Sequence, residues 1–368
     1  MTATAAAFAL PALQAPRPAD LHALGIGIVG AGWIVQDGHL PAYRDAGYRV
    51  EAVHDLDLEK AREVAGRFGV ARTCATLEEL LAHPDVDVVD IAVPAAEQPA
   101  LALAAIAAGK HVLCQKPFAE ELAAAVEMVE AAEAAGRVLC VNQNMRYGST
   151  WLVLRGLAAT GWLGDLRSAE LQVNVTTHWH DYGDWLLPLE RLDIMNHSLH
   201  YFDALRTLLG DPETVYCRGL RHPAQKVRGE TWTTALLEYP DDRLGLIKVD
   251  HNALDDQRDW FSRFRVDGLR GTASGTTWYL FEGLVLERET LRFRCPVVTG
   301  DAWVEPLLAD TGMPASFAAT MGELMRAVET GEPAPNSGRD NLGTLRLAFA
   351  AYRSMAERRP VAPAEIEA

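Results

Sequence analysis

The stretch GIVGAGWI, residues 27–34, decides how the first third of the chain is read. An apolar run ends at Gly30, one residue separates it from Gly32, and a helical pattern follows. Glycines at these points allow a tight turn and let backbone N–H groups approach an anion at the positive end of a helix. The third position of such a turn falls on Val35, bulkier than the Gly or Ala that lets helix and strand pack closely. A glycine turn alone is weak evidence, since ordinary strand-to-helix turns also use glycine.

Its context strengthens it. GIGIVG (25–30), YRVEAVHD (48–55), VDVVDIAVP (86–94), KHVLCQKP (110–117) and RVLCVNQ (137–143) are short apolar runs of strand type. Between them lie the helical stretches LEKAREVAGRFG (58–69), EQPALALAAIAAG (97–109) and EELAAAVEMVEAAEAAG (120–136). Strands alternating with helices imply a doubly wound parallel sheet covered on both faces, with right-handed crossovers. The second strand ends in Asp55, 25 positions after Gly30. An acid there can bind an adenosine ribose diol and would repel a 2′-phosphate, and Leu56 offers no compensating cation. The pattern points to a dinucleotide, NAD rather than NADP.

Composition narrows the partners. The 368 residues suggest two domains, and 49% hydrophobic residues suffice for packed cores. Acids outnumber bases 50 to 34, for a net charge of −16, which argues against a nucleic-acid or anionic-membrane surface. No apolar stretch reaches the ~18 residues of a membrane span. Five cysteines without a CxxC pair read as thiols of a reducing cytoplasm. The Ala- and Pro-rich residues 1–22 read as a loose arm, 23–147 as the dinucleotide-binding Rossmann domain and 148–368 as a second domain. In the last, a helix (149–160), the polar aromatic segment HWHDYGDW and a helix (191–209) precede crowded strands: TVYCRGL, TWTTALLEY, RLGLIKVDH, WFSRFRVDG, TTWYLFEG and LVLERETLRF. Sequential strands with short turns imply an antiparallel sheet and hence an α+β domain. Helices over roughly 315–330 and 340–357 close the chain.

Three stretches carry a family resemblance: AVPAAEQPALALAAIAAGKHVLCQKPFA, VNQNMRYGSTWLVLRGLAATGWLGDLRS and NHSLHYFDALRTLLG. In order and spacing they resemble the Gfo/Idh/MocA oxidoreductases over residues 24–357. The resemblance implies an α+β second domain with an open, mainly antiparallel sheet, oxidation by a pyridine nucleotide of a sugar, polyol or related cyclic alcohol, and a homodimer or homotetramer formed through the second sheet. Residues placed at the dinucleotide are Gly30, Gly32, Trp33, Ile34, Asp55, Pro94, Gln98 and Lys116. The family's Glu-Lys-Pro is here Gln115-Lys116-Pro117, so an amide replaces the carboxylate beside the lysine. Pro117 turns Lys116 away from helical geometry at the carboxyl edge of its strand, where open α/β sheets bind ligands.

The family's Asp-x-x-x-His motif fits in two registers. One places it on Asn196 and His200 and also aligns Asp203 and Gly210; the other uses Asp193 and His197. Positions 193, 196, 197 and 200 form one stripe of an α-helix, so all four could serve one cleft. The first register is preferred, making His200 the base, Lys116 the group that stabilises alkoxide character on the substrate oxygen, and Asn196 an orienting residue. This reading requires Lys116 and His200 to meet at a bound nicotinamide. Asn144, Arg146, His178, His180, Asp193 and His197 are expected to hold substrate, with Arg146 clamping hydroxyls or a carboxylate. If HWHDYGDW is extended, His178 and His180 share a face; a structural loop competes equally for that segment. A zinc site among His178, His180, His197 and His200 lacks supporting acid or cysteine spacing, and no metal is expected. Two rivals remain: a lyase or glycoside hydrolase that oxidises transiently and retains NAD, and a non-catalytic ligand-binding relative.

Overall fold

A computed structural model of the chain describes residues 17–254, 262–277, 289–308 and 313–368. Most of the expected arm over 1–22 and most of the expected strand TTWYLFEG lie outside the described residues. The chain divides into two compact units, Ala15–Tyr147 with Met313–Leu342, and Gly148–Gly312 with Gly343–Glu367.

In the first unit the strands are β1 (Gly25–Val29), β2 (Arg49–His54), β3 (Arg72–Cys74), β4 (Val88–Ile91), β5 (His111–Cys114) and β6 (Leu139–Val141). They form one parallel sheet in the order β3-β2-β1-β4-β5-β6. Strands covered on both faces need apolar side chains throughout, and Ile26, Ile28, Val88, Val89, Ile91, Val112, Leu113 and Cys114 are fully buried. The crossover helices are α1 (Leu40–Ala46), α2 (Leu58–Phe68), α3 (Leu77–Leu81), α4 (Gln98–Ala107) and α5 (Leu122–Ala134). Local chemistry fixes their ends. At α2 the Asp57 side chain accepts from the N–H groups of Glu59 and Lys60, and Gly69 closes the helix with φ 71°.

The turn after β1 is wider than an α-helix. Val35–His39 form a π-helical turn that runs into α1. Its last residue, His39, is buried, with Nδ1 2.6 Å from Asp90 Oδ2 on β4. Tyr43 donates to the same oxygen at 2.8 Å. His39 Nε2 lies 3.3 Å from Asn142 Nδ2, and Asn142 Oδ1 accepts from Thr320 Oγ1 at 2.7 Å. Burial, reinforced by Asp90, drives the Tyr43 hydroxyl well above its ordinary pKa.

The second unit holds α6 (Ser149–Ala159), β7 (Leu166–Asn174), α7 (Trp179–Tyr182), α8 (Leu199–Leu209), β8 (Thr214–Leu220), β9 (Trp232–Tyr239), β10 (Arg243–Asp250), β11 (Ser262–Gly268), β12 (Thr272–Thr276), β13 (Thr290–Arg294) and α9 (Pro296–Thr299). Its sheet runs β13-β12-β11-β7-β10-β9-β8. Every neighbouring pair is antiparallel except β7 and β10. Along β9 burial alternates: Thr233, Ala235, Leu237 and Tyr239 point inward, while Trp232, Thr234, Leu236 and Glu238 are exposed. One face is thus core, packed by α6 and α8, and the other is open.

The closing helices are α10 (Met313–Thr330) and α11 (Gly338–Glu357). A single cut at residue 147 does not describe how they pack, because residues 313–342 belong with the first unit. The Val141 N–H donates to the Asn336 carbonyl and Asn144 Nδ2 to Ser316 Oγ. The guanidinium of Arg146 donates to the Pro335 carbonyl and pairs with Asp340. Arg146, expected to clamp substrate, is instead a buried brace between the end of β6 and this returning segment, and Asn144 serves the same join. Sequence reasoning missed this because the partners lie 189 to 194 residues downstream.

Among the described residues no helix is long and apolar enough to cross a membrane. All five cysteines are buried and free. Replacing Arg146 with methionine should cost about 1–3 kcal/mol, less than a fully buried pair because the Asp340 side chain is 35% exposed. Urea unfolding checks the cost. Substrate KM of the folded fraction should not move; a raised KM at unchanged stability would restore the clamp.

Candidate functional site

At the glycine turn, Gly30 has φ 103°, and a Cβ added there would lie 2.5 Å from the Ala92 carbonyl oxygen. Both facts demand glycine at that position. Gly32 differs. A Cβ there would meet nothing within 4 Å. Among the described residues no neighbour requires a glycine at 32, and the space in front of it is open to a bound group. Val35, the bulky third position, is fully buried within the π-helical turn.

Asp55 sits at the same turn. Its Oδ2 accepts from the Ala31 N–H at 2.7 Å and its Oδ1 from the Asp57 N–H at 2.9 Å. Lys60, which sequence reasoning did not weigh, brings its Nζ to 3.7 Å from Asp55 Oδ2. Trp33 is 44% exposed, Ile34 half-buried and Pro94 exposed. Gln98 is buried, and its Nε2 donates to the Pro117 carbonyl at 3.0 Å. Its Oε1 has no hydrogen-bond partner among the described residues.

Lys116 follows β5 at the carboxyl edge of the sheet, and its bond to Pro117 is cis. Burial pulls its ammonium down from the ordinary 10.5 to about 8. The Gln115 side chain does not stand in for the missing carboxylate: its Oε1 accepts from the Lys116 backbone N–H at 2.9 Å.

The second unit carries a polar cluster. A π-helical turn, Ile194–Ser198, precedes α8. The wider turn brings Ser198 rather than His197 directly onto Asp193, and Ser198 Oγ lies 3.0 and 2.8 Å from the two carboxylate oxygens. The extra residue departs from the α-helical spacing on which the expected stripe of 193, 196, 197 and 200 depends. His200 is 3% exposed. Asn196 Nδ2 donates to the Leu192 carbonyl at 3.0 Å, so the nitrogen end of that amide serves its own turn.

Asp193 Oδ1 lies 2.8 Å from His251 Nε2 and 3.7 Å from His197 Nδ1. Burial works to raise the Asp193 pKa, but the nearby His197 imidazole and the hydrogen-bonded His251 hold it well below the usual carboxylate range. Glu230 caps the turn, accepting from Leu192 and Ile194 N–H and from the Tyr352 hydroxyl at 2.6 Å. Burial and the nearby Asp193 push its carboxyl up. His251 and Glu230 were missed because neither has a spacing relation to residues 193–200. Of HWHDYGDW, Trp179–Tyr182 form a short helix, so the extended geometry that would align His178 and His180 is not adopted. His178 is exposed; the side chain of His180 lies outside the described residues.

Two models of one family match the chain. An oxidoreductase-family model with an NAD-binding Rossmann fold covers residues 24–143, and the GFO/IDH/MocA C-terminal domain covers 151–274. The chain belongs to the Gfo/Idh/MocA oxidoreductases. It is 28% identical to a D-apiose dehydrogenase of Paraburkholderia graminis over 93% of this chain and 90% of that one. Over 39% of this chain and 43% of the relative it is 38% identical to an inositol 2-dehydrogenase of Gluconacetobacter diazotrophicus. An oxidoreductase from Agrobacterium radiobacter, solved with NAD+, L-tartaric acid and magnesium, superposes with a TM-score of 0.83 at 25% identity, covering 93% and 99% of the two chains.

The protein is therefore an NAD-binding oxidoreductase acting on CH–OH groups. The residues present fit a dinucleotide. An open cradle stands before Gly32, a buried amide oxygen of Gln98 awaits a donor, and Asp55 closes the second strand.

The two glycines should separate by experiment. Gly30→Ala should lower the thermal midpoint of the ligand-free protein, because its Cβ has no room. Gly32→Ala should leave that midpoint unchanged and weaken NADH binding about tenfold or more, roughly 1.4 kcal/mol, in a fluorescence titration.

Proposed function

We propose that this Gfo/Idh/MocA protein oxidises a secondary alcohol of a sugar, inositol-type polyol or sugar derivative, with NAD in preference to NADP. The observation that carries the reading is Lys116: an ammonium drawn out of water at the carboxyl edge of a dinucleotide-binding sheet, with its pKa brought down to about 8. The substrate class rests on the relatives, which are named for apiose and inositol. Their being dehydrogenases favours net oxidation over transient oxidation with elimination. NAD is favoured by the Asp55 carboxylate, which would repel a 2′-phosphate; Lys60 beside it softens that repulsion without removing it.

Bound NAD+ supplies the hydride acceptor. Lys116 donates a hydrogen bond to the alcohol oxygen and stabilises the alkoxide character that develops there. His200 takes the hydroxyl proton. His197 is the competing base, and it is the partly exposed member of the Asp193 cluster. Asn196 acts as a positioning residue. A homodimer or homotetramer through the open sheet face belongs to the same proposal. Trp232, Leu236, Leu244 and Leu220, all exposed, supply its apolar surface. The five free thiols favour a cytoplasmic setting.

The test is a panel of polyols and sugars with NAD+ and NADP+, reading absorbance of the reduced cofactor. The expected result is net NADH formation with at least one of them. Turnover of a substrate with no net NADH would overturn the reading in favour of transient oxidation.

Lys116 makes a further prediction with a definite sign. Its folded pKa of about 8 lies below the ordinary 10.5. Below pH 8 both folded and unfolded chains carry the proton, so folding bears the full cost of the buried ammonium. Between 8 and 10.5 the folded chain sheds its proton first and stability rises with pH. Lys116→Met should therefore abolish turnover yet raise the thermal midpoint at pH 7, by about 2–4 °C for roughly 1 kcal/mol. The gain should fade between pH 8 and 10.5 and be gone above that. Wild-type alcohol oxidation should fall as pH rises through about 8, as the ammonium loses its charge. A midpoint that drops in Lys116→Met would show that the ammonium is a structural cation.

A further inference from the structure

We propose that Asp193, His197 and His251 form a binding site for one divalent cation of zinc type, held by two imidazole nitrogens and a carboxylate. The three residues offer ligand atoms that all lie within 4.8 Å of one another. His251 Nε2 and His197 Nδ1 both approach the same oxygen, Asp193 Oδ1, at 2.8 and 3.7 Å. The two convergent nitrogens belong to residues 54 positions apart, one on the turn before α8 and one just past the end of β10.

What distinguishes this arrangement from a simple hydrogen-bonded cluster is the far side of each ring. A metal-ligating imidazole binds through one nitrogen and donates its other N–H to an oxygen, which fixes the ring and its tautomer. Both rings have that oxygen in place. His251 Nδ1 lies 2.7 Å from Thr177 Oγ1. His197 Nε2 lies 3.4 Å from the Tyr201 hydroxyl. The carboxylate is likewise oriented from outside, by Ser198 Oγ on both oxygens. An apolar wall stands alongside: Trp179 packs on the His251 ring at 4.6 Å between centroids, within a buried cluster with Leu186, Leu192 and Val227.

Two imidazoles and one carboxylate select borderline divalent ions over calcium or magnesium, which prefer oxygen throughout. Three protein ligands leave at least one position for water or another oxygen donor. His197, whose side chain is 16% exposed, is the side from which an ion enters.

The experiment uses the full chain, stripped with a chelator and dialysed. Calorimetric titration with Zn2+ should give one equivalent bound with a Kd of about 1 µM or tighter. Co2+ should bind in the same stoichiometry and show visible d–d absorption of a low-coordinate nitrogen–oxygen site. His197→Gln should weaken Zn2+ binding at least 100-fold with circular dichroism unchanged. A second measurement needs no variant: anomalous scattering at the zinc edge from a soaked crystal should place the ion between the three side chains. No stoichiometric binding, binding untouched by His197→Gln, or an ion located at other histidines overturns the proposal. None of these readouts depends on turnover, so they stand or fall apart from the dehydrogenase assignment.

Discussion

A carboxylate taken out of water must be met by donors, and each unit of this protein is organised by one that is. In the first unit it is Asp90, in the middle of β4 and fully buried. His39 and Tyr43 converge on its Oδ2 from the segment that follows the glycine turn. Asn142 at the end of β6 and Thr320 on α10 extend the chain of bonds. A buried charge without such partners would cost several kcal/mol, so this network fixes where the turn and its helix lie on the sheet. In the second unit Asp193 has the same role, gathering Ser198 and His251 where α8 begins.

Both carboxylates are approached through a π-helical turn, Val35–His39 in one unit and Ile194–Ser198 in the other. Such turns are uncommon and recur at functional sites. Each gives up regular helix geometry and sets a polar side chain on a buried acid, His39 on Asp90 in one and Ser198 on Asp193 in the other. Helix propensity does not announce this. Each turn has partners far away in sequence, Asp90 on β4 in one and Glu230 and His251 in the other, and these could not be read from the helical spacing of Asp193, Asn196, His197 and His200.

The parallel sheet was legible because its strands are buried on both faces and therefore read as uninterrupted apolar runs. β3 escaped because three residues, Arg72–Cys74, at a sheet edge carry no pattern. The second sheet was legible from alternation, as in β9, but not the parallel pairing of β7 with β10, since side-chain period is the same in either direction. Gly30, Gly32 and Asp55 could be read at the turn because a strand, two glycines and an acid lie at fixed offsets along one βαβ unit. Arg146 and His251 could not be assigned, because burial and long-range partners decide their roles. An arginine after a strand looks the same in sequence whether it faces a ligand or an Asp340 reached only when the chain returns.

The residues that break local rules are the informative ones. Gly30 obeys a steric rule, so it reports on the fold. Gly32 obeys none among the described residues, and its smallness leaves room for something bound. Lys116 carries a charge into a place where burial opposes it, and a methionine would satisfy packing there at lower cost. A position that sacrifices stability in this way is maintained by something other than folding. In a family of oxidoreductases, at the carboxyl edge of an NAD-binding sheet, that other demand is the chemical one proposed above for the ammonium.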